Sequence, residues 1–155
     1  MSKQRSRHDD LLDPGVGPVL TVRSLLSVAL MVLGIAWMAY FYVAVRVNPE
    51  TFPEPAAGSP KFMADLGDWN YLIGFGAIMV GLVVAAHPST PLGRGRGVVV
   101  GMLGSFLIGL LWICTFYVIS DDISVLPVFD DLGQYNLVVG IGLMAVGFTY
   151  ATRWE

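Results

Sequence analysis

A chain of 155 residues has room for one domain, and its 14% charged residues fall well below the roughly 25% of a soluble globular domain, while 55% are hydrophobic. That deficit of charge points to a bilayer. Nine Lys plus Arg against twelve Asp plus Glu leave a net charge of -3, too small and of the wrong sign for a nucleic-acid binder.

Residues 1–23 form a polar tail carrying Lys3, Arg5, Arg7, Asp9, Asp10 and Asp13, and are expected to be mostly disordered. The basic start Lys3-Gln4-Arg5-Ser6-Arg7 either rests on an anionic leaflet, at about 1 kcal/mol per basic residue, or serves only as a topogenic flank. From Ser24 to Val45 no charge occurs, and Arg23 and Arg46 bracket a segment long enough to span a bilayer. This run extends too far for a signal-peptide core and has no A-x-A-like cleavage site behind it, so no secretory signal is expected. Trp37, Tyr40, Phe41 and Tyr42 crowd its second half as an aromatic belt would.

The stretch from Val47 to Asp68 holds four prolines with Glu50, Glu54, Asp65 and Asp68, and reads as an extended acidic connector. A second span starts near Trp69 and runs to about Ala86, where His87-Pro88 stops it. Gly93-Arg94-Gly95-Arg96-Gly97 closes a basic turn over residues 87–97. A third span extends from about Val98 to Ser120 and contains Cys114, the only cysteine. A lone cysteine excludes an intramolecular disulfide and a cysteine metal cage, and is expected to pack as a small hydrophobe. Asp121 to Asp131 forms a second, shorter acidic connector before a fourth span that ends at Thr152-Arg153-Trp154-Glu155.

The chain repeats itself. An offset of 66 residues superposes Asp65-Leu66-Gly67, Asn70, Gly74, Gly76, Val80, Gly81 and Ala85 on Asp131-Leu132-Gly133, Asn136, Gly140, Gly142, Val146, Gly147 and Ala151. An offset of 75 sets Gly34, Trp37, Phe41, Tyr42 and Val43 on Gly109, Trp112, Phe116, Tyr117 and Val118. The unit duplicated is therefore a two-helix hairpin, 24–86 and again 98–155, related by an approximate two-fold axis along the membrane normal. Lys3, Arg5, Arg7, Arg23, Arg94, Arg96 and Arg153 fall on one side of the spans and only Arg46 and Lys61 on the other, so the positive-inside rule places both termini in the cytoplasm. The expected fold is an all-α integral membrane protein of four transmembrane helices.

Chemistry is hard to find. No Asp, Glu, Lys, Arg or His lies inside any proposed span, which argues against a pump or a proton-coupled exporter. The glycine-arginine turn lacks the Lys-Ser/Thr pair of a phosphate loop. His8 and His87 have no ligand set around them, and Asp121-Asp122 with Asp130-Asp131 reads as a solvated connector rather than a cation site. No cofactor, metal or small-molecule substrate is expected.

Small residues carry more signal. Gly97, Gly101, Ser105 and Gly109 recur every four residues on one face of the third span, and Gly74, Gly76, Ala77 and Gly81 mark a smaller face on the second. These faces either pack the bundle internally or dock a partner's membrane helix. Trp69-Asn70 and Tyr135-Asn136 stand where the second and fourth spans begin, as interfacial aromatics beside an asparagine that satisfies free amide groups. The remaining reading for Leu66, Gly67, Trp69, Asn70 and Tyr71, with Leu132, Gly133, Tyr135 and Asn136, is a recognition surface.

The run Lys61-Phe62-Met63-Ala64-Asp65-Leu66-Gly67-Asp68-Trp69-Asn70-Tyr71, followed by Gly74-Phe75-Gly76 and Met79-Val80-Gly81-Leu82, resembles the second half of the CrgA family of small two-span actinobacterial division proteins. Arg23 to Ala86 matches the whole family plan, and the second copy departs from it at Asp130, Gln134, Tyr135 and Leu137. The resemblance implies a non-enzymatic scaffold or regulator of septum formation in the plasma membrane, associated with FtsZ, septal peptidoglycan synthases and other divisome proteins. Because linking two modules makes their association intramolecular, the fusion is expected to replace the dimerisation of a two-span protein, and a homo-oligomer of the fused chain stays open as a further expectation. A second reading, from another class, is an accessory small subunit of a larger membrane complex such as a respiratory assembly.

Overall fold

The computed structural model describes residues 18–47 and 58–153; the expectations for residues 1–17, for 48–57 of the first connector and for Trp154 and Glu155 lie outside them. Helix α1, Val22–Tyr40, is started by a capping box in which Thr21 Oγ1 accepts from the Ser24 amide at 3.1 Å and Ser24 Oγ accepts from the Thr21 amide at 2.8 Å. A π-helical turn, Phe41–Val45, prolongs it. The short α2, Lys61–Leu66, leads into α3, Trp69–Ala85. A compact turn follows, then α4, Arg96–Val118, a 3₁₀ turn at Ile123–Val125, the short α5, Pro127–Leu132, and α6, Tyr135–Ala151. No strand occurs among the described residues.

Val22–Val45 and Arg96–Val118, 24 and 23 residues long, are apolar and long enough to cross a membrane. At 1.5 Å per residue they extend about 36 and 34 Å, against a hydrocarbon core of about 30 Å. The partners α3 and α6 are equally apolar but have 17 residues each. Both begin one turn late because the chain spends six residues on α2 and α5. The connectors are therefore not wholly extended, as proline and acid content implied: Met63 on α2 and Phe129 and Leu132 on α5 are buried, and that apolar contact stabilises a helical turn in each. Gly67 (φ 50°) and Gly133 (φ 48°) then reverse the chain in the left-handed region that favours glycine.

Helix α1 packs along α3, α4 packs along α6, and the two hairpins meet along a seam between α3 and α6. Two buried clusters fill the seam. Phe41, Val45, Met63, Tyr71, Leu132, Val139 and Leu143 form one near the connectors, and Ala86, Val98, Val146 and Tyr150 the other near the central turn. The outward faces of α1 and α4 leave Leu25, Val32, Leu33, Leu107, Leu111 and Val118 exposed, an apolar surface too large for a water-facing monomer and suited to lipid. Cys114 lies on that outward surface rather than packing inside, since its side of α4 faces away from α6.

The central turn is more ordered than a bare topogenic loop. Buried Thr90 donates its hydroxyl to the carbonyls of Ala85 and His87 and accepts the Gly93 amide at 3.2 Å. Arg23 Nη1 stands 2.8 Å from His87 Nδ1, linking the start of α1 to the end of α3. Partial burial, with Arg23 and Arg153 close by, holds the His87 imidazole below its usual 6.5.

Candidate helix-packing and partner-binding site

The two hairpins are built around the same close crossing. A Cβ placed on Gly34 would stand 2.5 Å from the Gly74 carbonyl oxygen, and one on Gly74 would stand 2.9 Å from that of Gly34. In the second hairpin Gly109 and Gly140 repeat this arrangement at 2.6 and 3.1 Å. Only a residue without a side chain lets two helix backbones approach so closely. The flanking residues also correspond: Ile78 bounds the first crossing and Met144, its repeat counterpart, the second.

The other small residues divide by what they face. Gly81 opens α3 to the Ser27 carbonyl at 2.8 Å, Gly147 takes the Phe106 ring at 3.0 Å, and Gly101 lies against the ring of Tyr150. Ser105 is buried on the same side of α4. Gly142 faces Met79 of α3 at 2.8 Å and so serves the seam, whereas Gly76 and Gly104 face open space. Gly97 lies against the Pro91 carbonyl inside the central turn, which takes the first rung of the four-residue ladder away from the helix-packing face.

At the head of each hairpin the asparagine does the opposite of capping. Asn70 Nδ2 donates to the carbonyl oxygens of Met63 and Gly67, both at 2.7 Å. Asn136 Nδ2 donates to those of Phe129 and Gly133, at 2.7 and 2.8 Å. Each asparagine is fully buried and ties the short helix to the long one by satisfying carbonyls, not amides. The second head is tied once more, because Trp112 Nε1 donates to Asn136 Oδ1 at 3.2 Å. In the first head the corresponding atoms, Trp37 Nε1 and Asn70 Oδ1, are both buried and have no hydrogen-bond partner among the described residues. Trp112 is held face to face with Phe129 at 4.5 Å, while Trp37 meets Phe62 only at 6.1 Å and a tilt of 41°.

The heads meet across the seam. Trp69 and Tyr135, equivalent in the repeat, contact each other at 5.7 Å between ring centroids. Beside them the end of α1 reaches over to the second head: Arg46 Nε and Nη2 grip Asp131 Oδ2 and Oδ1 at 2.5 and 2.8 Å, and Tyr71 donates its hydroxyl to Oδ2 at 2.8 Å. A bidentate guanidinium–carboxylate pair this shielded from water is stronger than a surface ion pair, and it holds Arg46 well above its ordinary range. Partial burial, with the Asp131 and Asp130 carboxylates nearby, raises Asp68 above the usual carboxylate value, and Arg46 acts against that shift.

The grip has no mirror image. Asp65 matches Asp131, but the positions matching Arg46 and Tyr71 are Asp121 and Leu137. Leu132 is 2% exposed in the cluster that includes Phe41 and Val45, whereas its counterpart Leu66 is 37% exposed. The spacing Asp-Leu-Gly-x-aromatic-Asn is the same at both heads and gives no sign that, among the described residues, one is covered and the other exposed.

Apolar helices of membrane-crossing length, arranged as a duplicated hairpin that crosses at paired glycines, define a small membrane-type repeat protein whose described residues hold no group of three or more His, Cys, Asp or Glu side chains placed to bind a metal ion. The sequence model of one family, described as cell division protein CrgA, matches residues 3–87 and again residues 90–155. The chain belongs to the CrgA family, in tandem duplication. It is similar to the cell division protein CrgA of Streptomyces avermitilis, 44% identical over 54 residues, which are 35% of this chain and 60% of the relative. A Mycobacterium sp. (strain KMS) relative of the same name is 34% identical over 91 residues, 54% of this chain and 92% of its own length. That of Corynebacterium glutamicum (strain R) is 41% identical over 56 residues, 36% of this chain and 49% of the relative. No solved structure matches.

Proposed function

We propose that this chain is a four-span, non-enzymatic scaffold or regulator of septum formation, with both termini in the cytoplasm and its partners among the divisome proteins, FtsZ and the septal peptidoglycan synthases included. The observation that carries the reading is the match of both halves to a family of cell division proteins. The glycine crossings support a scaffold, because they spend the small residues of α1, α3, α4 and α6 on internal packing and leave a rigid body with two distinct heads. Gly76 and Gly104, on outward faces, and the exposed Trp69 and Leu66 are the positions available to partner helices.

A fluorescent fusion imaged in growing cells tests this. Bands at midcell that coincide with the cytokinetic ring are expected. Uniform membrane fluorescence, with a larger respiratory assembly recovered on purification, would overturn the reading in favour of an accessory subunit.

A further inference from the structure

The second head shows what a covered head looks like, and among the described residues the first has no equivalent cover. At the second, a helix end supplies an apolar residue followed by a cation: Val45 joins the buried cluster around Leu132, and Arg46 binds Asp131 through both carboxylate oxygens. The first head repeats the local structure that receives this end, with a short helix, a left-handed glycine and a buried asparagine tying the two together. It presents Asp65 in the place of Asp131 and Leu66 in the place of Leu132. The residues that would cover it from the second hairpin are Ser120 and Asp121, one without apolar bulk and one of the wrong charge. In consequence Asp65 is exposed with no hydrogen bond or ion pair among the described residues, and Leu66, Phe62 (55% exposed) and Trp69 (58%) form an apolar rim beside it.

We propose that this open head docks the connector end of a membrane helix from a partner protein, one that ends as α1 does, with a branched apolar residue followed by arginine. The apolar residue seats on Leu66, Phe62 and Trp69, and the guanidinium pairs with Asp65. Charge selects this occupant: the head offers a carboxylate beside apolar surface, and an arginine next to an apolar residue satisfies both at once. A second copy of the chain is the poorer occupant, because its Arg46 is already held by its own Asp131 in a contact that linkage within one chain favours. The inference stands on the asymmetry of the two heads and does not depend on a role in division.

The test uses the full chain in phosphatidylcholine nanodiscs and, as probe, a dye-labelled peptide of residues 22–46, the helix that covers the second head. Energy transfer should report saturable binding. Asp65→Asn, an exposed and nearly isosteric change, should weaken it about tenfold, as should an Arg46→Gln peptide. Asp65→Lys should abolish binding of the parent peptide and restore binding of an Arg46→Glu peptide. A peptide that binds equally well to the Asp65→Asn chain overturns the proposal, since it then packs on glycine faces. So does a labelled second copy of the full chain that binds as tightly as the peptide, which would make the head a self-association surface.

Discussion

Gly104 and Gly109 lie five residues apart on α4 and predict opposite outcomes for one substitution. A methyl group on Gly109 meets the Gly140 backbone at 2.6 Å, and backbone cannot turn aside. Gly109→Ala should therefore destabilise the protein by about 1–3 kcal/mol. Gly104 has nothing within 4 Å, so Gly104→Ala should be neutral or stabilising by up to about 1 kcal/mol through helix propensity. Thermal loss of the monodisperse species in detergent reads both, and equal midpoints would show that the crossing tolerates bulk. Of the four crossing residues, Gly109 alone stands in a four-residue stripe of small residues on an apolar run. What each glycine faces was not legible. Gly97, in the first turn of α4, fits the spacing yet packs against Pro91 and Leu92 of the central turn, and Gly34 has Leu26 and Leu30 at the preceding stripe positions although it meets Gly74 as closely as Gly109 meets Gly140.

The hairpin heads are the elements where sequence reasoning went furthest and then erred. Asp-Leu-Gly-x-aromatic-Asn is recognisable twice, but an asparagine at a helix start points to free amides as long as the short helix before it is hidden among prolines and acids. With α2 and α5 formed, the carbonyls seven and three residues back become the groups that need a donor. The two heads should differ in tolerance. Asn70→Ala removes two hydrogen bonds to carbonyls, whereas Asn136→Ala removes two and also leaves the Trp112 indole N–H without its acceptor. The second substitution should cost more, by about 1 kcal/mol. Paired denaturation curves check this, together with a shift in Trp112 emission seen only in Asn136→Ala; equal costs would mean that the indole bond contributes nothing.

At the scale of the whole molecule, duplication and apolar length were plain from the chain, and orientation rests on seven basic residues against two. Single cysteines introduced into a Cys114→Ala background test that orientation. Ser120→Cys should react with a membrane-impermeant maleimide on intact protoplasts, and Thr152→Cys only after permeabilisation. Labelling of both, or of neither, before permeabilisation would refute four spans with both ends inside. The seam was beyond the sequence: Arg46 and Asp131 are 85 positions apart, and the repeat alignment pairs Arg46 with Asp121, a residue of opposite charge.

That separation along the chain has a consequence for synthesis. Most helix packing lies within a hairpin, between segments that leave the ribosome in succession, so the Gly34–Gly74 crossing can close while the second hairpin is still being made. Arg46 then waits at the membrane surface until Asp131 is translated. The ion pair across the seam thus forms later than the first hairpin's crossing, and a chain truncated before Asp131 is left with an unmatched arginine by which an unfinished product differs from a completed one.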